Sequence, residues 1–375
     1  MSADKKVPQS PMLTRLDAAL AAARHPVDVA CARAERAGYL ARQGLLDNAR
    51  AELVLLRSQF SGAAVAVVTV WTCIVEAWIE FYDGREAVAV DKLQRAYALS
   101  AASKLTPLHA LSAAWLGFIR YHNDDFQAME KYLTVALRSA DPQHHLTQAR
   151  IAIIAAGAYH WAMRLDLAQP WYAKARDHAL AESDDATLSV VTFTMAAHCT
   201  NHASRASIFG SEDTDEIRKA QAWLDASFNL DQRLGAAPKD AYGHTFRALL
   251  CSAQQHYAQA LAEYEAHLDD ADRQGALHMR AVHLADQAWC RFHTGQAEAA
   301  RADALAAAAL INPGMFIEDI AVASGRLEQV FSALGDTDSA LHHRQQARDY
   351  WSRHLVMRRA LLDHLNGAIA AAPAA

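Results

Sequence analysis

The feature that most restricts what this chain can fold into is a spacing. Ala49, Ala89, Met129, Ala168, Ala220, Ala260, Ala300 and Ala340 follow one another at steps of 40, 40, 39, 52, 40, 40 and 40 residues. Four residues beyond each stand Leu53, Leu93, Leu133, Tyr172, Leu224, Tyr264, Ala304 and Arg344. Three further on are Leu56, Ala96, Ala136, Ala175, Ser227, His267, Ala307 and Ala347. Offsets of 0, 4 and 7 trace one face of a helix, and a small residue there lets a neighbouring backbone come close. Met129 is larger but flexible enough to fill the same gap. Upstream, a second small position recurs at Ala37, Ala77, Gly117, Ala156, Ala196 or Ala197, Ala248 and Ala288.

Between the two small positions sits a turn. Gly occupies it at Gly44, Gly84, Gly295 and Gly335, with Gly210 in a longer connection. Glycine supplies the left-handed conformation that ends a helix. Prolines fall mostly where one unit hands over to the next, at Pro26, Pro107, Pro142, Pro238 and Pro313, as expected of a residue that opens helices but does not sit inside them. The spacing therefore predicts eight helical hairpins of about 40 residues, with helices near 28–44, 45–60, 63–83 and 85–103. Composition agrees: the chain is alanine-rich, only 8% aromatic, with 15 Gly and 9 Pro in 375 residues. That balance favours helix over strand.

The motif that repeats resembles the tetratricopeptide repeat. The residues that carry the likeness are clearest in "LGDTDSALHHRQQA" (334–347), "MRLDLAQPWYAKA" (163–175), "QHYAQALAEYEAHL" (255–268) and the Leu116–Gly117 pair. The likeness spans about residues 27 to 350 and departs in period, the usual unit having 34 residues. Elongated units of this kind are similar to bacterial signal-sensing arms such as peptide-pheromone receptors, the maltose-responsive activator and the sensors ahead of some diguanylate cyclases. The resemblance implies an all-α, right-handed α-solenoid of about eight hairpins with a long C-terminal capping helix. The expected organisation is a flexible segment and lead-in helix over 1–25 and the repeat domain over 26–350. Residues 351–375 then extend the last helix into a disordered tail. The single 52-residue step leaves about twelve extra residues, expected as an exposed loop over 201–216.

In such a stack the first helices line a concave wall where ligands lie. Mapped onto this chain, the wall carries Trp71, Ile74, Trp78, Phe81 and Tyr82, then Phe118, Tyr121 and His122, then Arg150, His160 and Trp161. Further along it carries Phe193 and Asn201, Tyr242 and Thr245, and Trp289, Phe292 and His293. Large aromatics at such positions suit a binding groove, although tryptophan at helical spacing also packs between helices. With only Arg150 and Asn201 as polar anchors, the clamp for a C-terminal carboxylate used by chaperone-tail binders is not supported. A hydrophobic protein or peptide segment, an amphipathic helix or a small aromatic-friendly ligand fits better.

No catalytic signature is present: no G-x-x-x-x-G-K-[ST], G-x-G-x-x-G or G-x-S-x-G, and no Gly-Gly pair. "HCTNH" (198–202) places His198 and His202 one turn apart but lacks a zincin's Glu, so neither a metal nor another cofactor is expected. Thirty-six basic against 42 acidic residues give a net charge of −6 and no footprint for nucleic acid. No apolar run suits a signal peptide or a membrane span, and the five cysteines form no CxxC. These traits predict a cytoplasmic, non-catalytic scaffold that holds a protein segment. The alternatives are a sensor of a small ligand acting through a dimer of its C-terminal helix, with Trp351, Leu355, Leu362, Leu365 and Ile369 as the seam, and an enzyme with a composite site.

Overall fold

A computed structural model of the chain describes residues 10–59, 65–210, 214–234 and 240–372. Among them there are 17 α-helices, one short 3-10 turn and no strand. The first nine are α1 (Pro11–Ala22), α2 (Pro26–Arg42), α3 (Leu46–Gln59), α4 (Ala66–Tyr82), α5 (Glu86–Ala102), α6 (Thr106–His122), α7 (Phe126–Ser139), α8 (His145–Trp161) and α9 (Leu165–Ala181). Then come α10 (Asp185–Phe209), α11 (Thr214–Leu234), α12 (Asp240–Ala253), α13 (Tyr257–Arg273), α14 (Arg280–His293), α15 (Ala297–Leu310), α16 (Ile317–Ala333) and α17 (Thr337–Ala370). The first four predicted repeat helices coincide with α2 to α5 to within about a turn. Pro238 lies outside the described residues.

The spacing that organises the sequence is also the spacing of buried contacts. Ala49, Ala89, Met129, Ala168, Ala220, Ala260, Ala300 and Ala340 are all at most 5% exposed. Successive helices pack as pairs, α2 on α3, α4 on α5, α6 on α7, α8 on α9, α12 on α13 and α14 on α15. The first helix of a pair also packs on the first helix of the next, as α2 does on α4 and α14 on α16. The turn inside each pair passes through a left-handed residue, Gly44, Gly84, Asp124, Met163, Gln255, Gly295 and Gly335. Three non-glycine residues therefore hold the conformation expected of glycine, and the 40-residue rhythm survives them.

The chain divides into two compact units. The first comprises 1–191, 230–238 and 360–375, the second 192–229 and 239–359. In the first unit α6 and α8 are buried almost all round, while α5, α7 and α9 bury one stripe each. A helix apolar on every side belongs in an interior. The expected lead-in helix is α1, whose Leu13 and Leu16 are buried, and Ser10 Oγ caps it by accepting from Leu13 N.

Two expectations about the chain's irregular parts are overturned. The extra residues near 201–216 do not form a loop over their first half. Against the 17 residues of α9, α10 has 25 and α11 has 21, which accounts for all twelve. His202, Ser204 and Arg205 are buried, so the polar stretch is helix packed inward; 211–213 lie outside the described residues. At the C-terminus the last helix does extend, as α17 to Ala370, but 368–372 are not a frayed tail; 373–375 lie outside the described residues. Leu361, Leu365 and Ala368 are fully buried in the first unit. His364 Nδ1 lies 2.6 Å from Glu130 Oε2, Tyr159 Oη donates to Asn366, and Arg138 Nε donates to the Ala371 carbonyl. The apolar face of this segment is therefore 361, 365 and 368; Leu355 is exposed and Leu362 and Ile369 are half-buried.

The core of the second unit gathers Ala196, Cys199, Leu224, Phe246, Leu249, Leu250, Val282 and Val322. Nearby His283 is fully buried, and neither ring nitrogen has a hydrogen-bond partner among the described residues. Burial, helped by His278 and Arg280, pushes its imidazole from 6.5 down to about 3. Between those values the unfolded chain binds a proton that the folded chain refuses, so stability falls as pH drops below about 6.5. His283 alone contributes a slope approaching ~1.4 kcal/mol per pH unit. Urea unfolding at pH 7, 6 and 5 is expected to show at least that slope, since burial also takes His354 down to about 4, and His283→Leu to lower it by up to ~1.4 kcal/mol per pH unit. An unaltered slope in the variant would show that the proton goes elsewhere.

Candidate functional site

α4 and α6 of the first unit build a continuous ladder of rings, to which α2 and α8 add arginines. From α4, Trp71 meets Trp78 edge-on at 6.4 Å between centroids, and Trp78 lies 5.4 Å from Trp115 of α6. Phe81 and Tyr82 touch Trp115 at 5.8 and 6.4 Å, and Trp115 continues to Phe118 and then His122. α2 supplies Tyr39 and Arg42, and α8 supplies Arg150. The guanidinium of Arg150 stands 3.8 Å above the Trp115 ring and 4.5 Å above Phe118, at cation–π distance from both. Steps of three, four and seven residues place these side chains on one face of each helix.

Two arginines at this ladder differ in their partners. Arg42 donates to Asp184 Oδ2 at 2.6 Å and to Thr187 Oγ1 at 3.0 Å, and Asp184 also accepts from Thr187. That carboxylate is fully used. Arg150 is 2% exposed and has a hydrogen bond to Tyr82, but no carboxylate among the described residues pairs with it. Burial pushes its guanidinium down to about 10. Its Nε, like Nε1 of Trp78 and Nε1 of Trp115, is a buried donor without an acceptor among the described residues. A buried cluster rich in donors and short of acceptors is complementary to an acceptor-rich group.

The structure distributes the expected wall residues unevenly. Trp71, Trp78, Tyr82, Phe118, His122 and Arg150 come together in the ladder. Trp78 is 1% exposed, with Trp71 and Trp115 packed over it, and Tyr121 is 8% exposed, so neither offers the open groove surface expected of the wall. His160 is buried with Nδ1 3.1 Å from Tyr172 Oη, and half-buried Trp161 packs on Phe126. In the second unit, Phe193 and Tyr242 pack with Phe246 in the core and Asn201 is half-buried. Trp289, Phe292 and His293 form a separate group, Trp289 stacking on Phe292 at 6.2 Å and exposed His293 stacking on Tyr257 at 4.1 Å. Trp115, Tyr39, Arg42 and Asp184 were missed. Trp115 lies three residues before Phe118 and shares its helix face, which was the available signal.

Compared with known proteins, the chain matches no family model, and no curated protein sequence matches it. Among the described residues no helix is long and apolar enough to cross a membrane.

Proposed function

We propose that the chain is a non-catalytic binding module of tetratricopeptide-like hairpins, eight in number, whose first unit takes a small organic anion. The ligand class is a carboxylate on an apolar or aromatic body. The observation that carries this reading is Arg150, a buried cation stacked on Trp115 that, among the described residues, forms no ion pair with a carboxylate. An unpaired buried charge is costly to the fold, and an incoming anion relieves the cost. Half-buried Phe81 and Tyr82 and exposed His122 are the ladder members nearest solvent, and they mark the side of entry. The hairpin reading rests on the spacing of the left-handed turns and of the buried small residues. Its likeness to sensing arms favours a regulatory role.

The test pairs binding with stability. Aromatic and aliphatic carboxylates are expected to raise the melting temperature of the full chain, and the matching amides to have no effect. Arg150→Met is expected to abolish that response while leaving the free protein as stable as before or more so, since it removes an unpaired buried charge. A variant that melts much lower, together with no carboxylate response in the parent, would assign Arg150 to the architecture instead.

A second reading, a protein or peptide segment held by the chain, is favoured by the Trp289, Phe292 and His293 group. These are the residue types that anchor interfaces, and Arg326 lies 5.7 Å from the Trp289 ring. Trp289→Ala is expected to weaken a protein partner without altering the carboxylate response of the first unit.

A further inference from the structure

We infer that the α12–α13 hairpin carries a divalent metal site, with zinc the ion its donors suit best. Glu263 and His267 stand one turn apart on α13 and face His244 on α12. His244 Nδ1 is 2.7 Å from Glu263 Oε2, and His267 Nε2 is 3.9 Å from the same oxygen. The three donor atoms all lie within 4.8 Å of one another. Two ligands on one tetrahedral zinc, at bond lengths near 2.0–2.2 Å, are about 3.3–3.5 Å apart. The two separations from Glu263 Oε2 straddle that value, and side-chain rotations bring the three donors onto one ion. Two imidazoles and a carboxylate are a borderline donor set that suits zinc better than calcium or magnesium.

The surrounding charges have the arrangement such a site needs. His244 Nε2 lies 3.8 Å from Asp240 Oδ1, beyond hydrogen-bond distance but near enough for the carboxylate to orient the imidazole once the ring rotates to take the ion. Arg247 lies 3.8 Å from Oε1 of Glu263, which leaves Oε2 for the ion. Phe228 packs against the His244 ring and under the Arg247 guanidinium. The two imidazoles are stacked at 3.8 Å and 11°. Since a metal lies in the plane of each ring it binds, they must fan apart about χ2, a broad torsion that permits it. His267 is 31% exposed and leaves a path for entry and a fourth position for water.

The test is titration of the chelator-stripped full chain with zinc by calorimetry, and with cobalt by its visible absorption. One saturable site is expected, with tetrahedral cobalt bands. Loss of an outer carboxylate partner costs about 10–100-fold in affinity, and Asp240→Asn is expected in that range. His267→Ala and Glu263→Gln remove direct ligands and are expected to exceed ~100-fold. Asp240 is exposed, so its variant keeps the series readable if a ligand variant folds poorly. Equal stoichiometry and affinity in the parent and in His267→Ala would place the ion among the other histidines and overturn the assignment, as would the absence of any saturable site.

Discussion

Trp78→Ala is expected to cost the first unit about 3–5 kcal/mol of folding stability, the range for removing a large aromatic from a packed interior. The indole is 1% exposed and sits between Trp71 and Trp115. Its opposite edge presses on α2 at Gly38, where an added Cβ would come within 2.4 Å of Trp78 Cζ3. Only a residue without a side chain lets α2 and α4 approach around that ring. The Arg42 guanidinium, 5.7 Å from the ring centroid, loses its aromatic partner in the same step. Urea unfolding followed by circular dichroism checks the magnitude. A loss below about 1 kcal/mol, with the carboxylate response abolished, would return Trp78 to the ligand surface, where truncating a hot spot costs about 2 kcal/mol or more of binding. Trp78 and Arg150 should thus behave oppositely: one holds the ladder together, and the other is a charge the fold tolerates.

That contrast shows what could be read from residues and what could not. The offsets that pick out Ala49, Leu53 and Leu56 find helix pairs because neighbouring helices interlock locally, within one 40-residue period. The same offsets place Trp71, Trp78, Phe118 and Arg150 on the right face. Whether that face is open or closed depends on partners far away in the chain. Arg42 and Asp184 are 142 residues apart, and Tyr159 finds Asn366 across 207. No periodicity carries that information. The polar stretch at His202–Ser207 reads as a loop because its helix face is not apolar. It folds inward because its polar groups find partners there, Arg205 pairing with Glu318 and Ser207 accepting from Arg326. The His244, Glu263 and His267 group was half legible: Glu263 and His267 share a face at i, i+4, but His244 reaches them only through packing of the hairpin.

Asp286→Ala should be among the most damaging substitutions in the second unit, at about 3–5 kcal/mol, because it strands a buried cation. Asp286 and Arg326 are each 2% exposed and their charged atoms approach to 2.9 Å. Asp286 also accepts from Ser252 Oγ at 2.9 Å and from Tyr264 Oη at 3.0 Å, so both carboxylate oxygens are engaged. Burial raises its pKa, and Arg326 and the two hydroxyls oppose that rise. In the alanine variant Arg326 retains Gln329 and Ser207, which are neutral acceptors and cannot balance its charge. Asp286→Asn keeps an acceptor for Ser252 or Tyr264 and is expected to cost less. The decisive comparison is the double variant Asp286→Leu with Arg326→Met. Replacing a whole buried pair with apolar side chains of similar size is often neutral or stabilising by about 1–4 kcal/mol. The double variant should therefore recover most of what Asp286→Ala loses, and unfolding free energies around the cycle give the coupling directly. If the double variant is as unstable as the single one, the loss comes from packing around α14 and α16 rather than from the stranded charge.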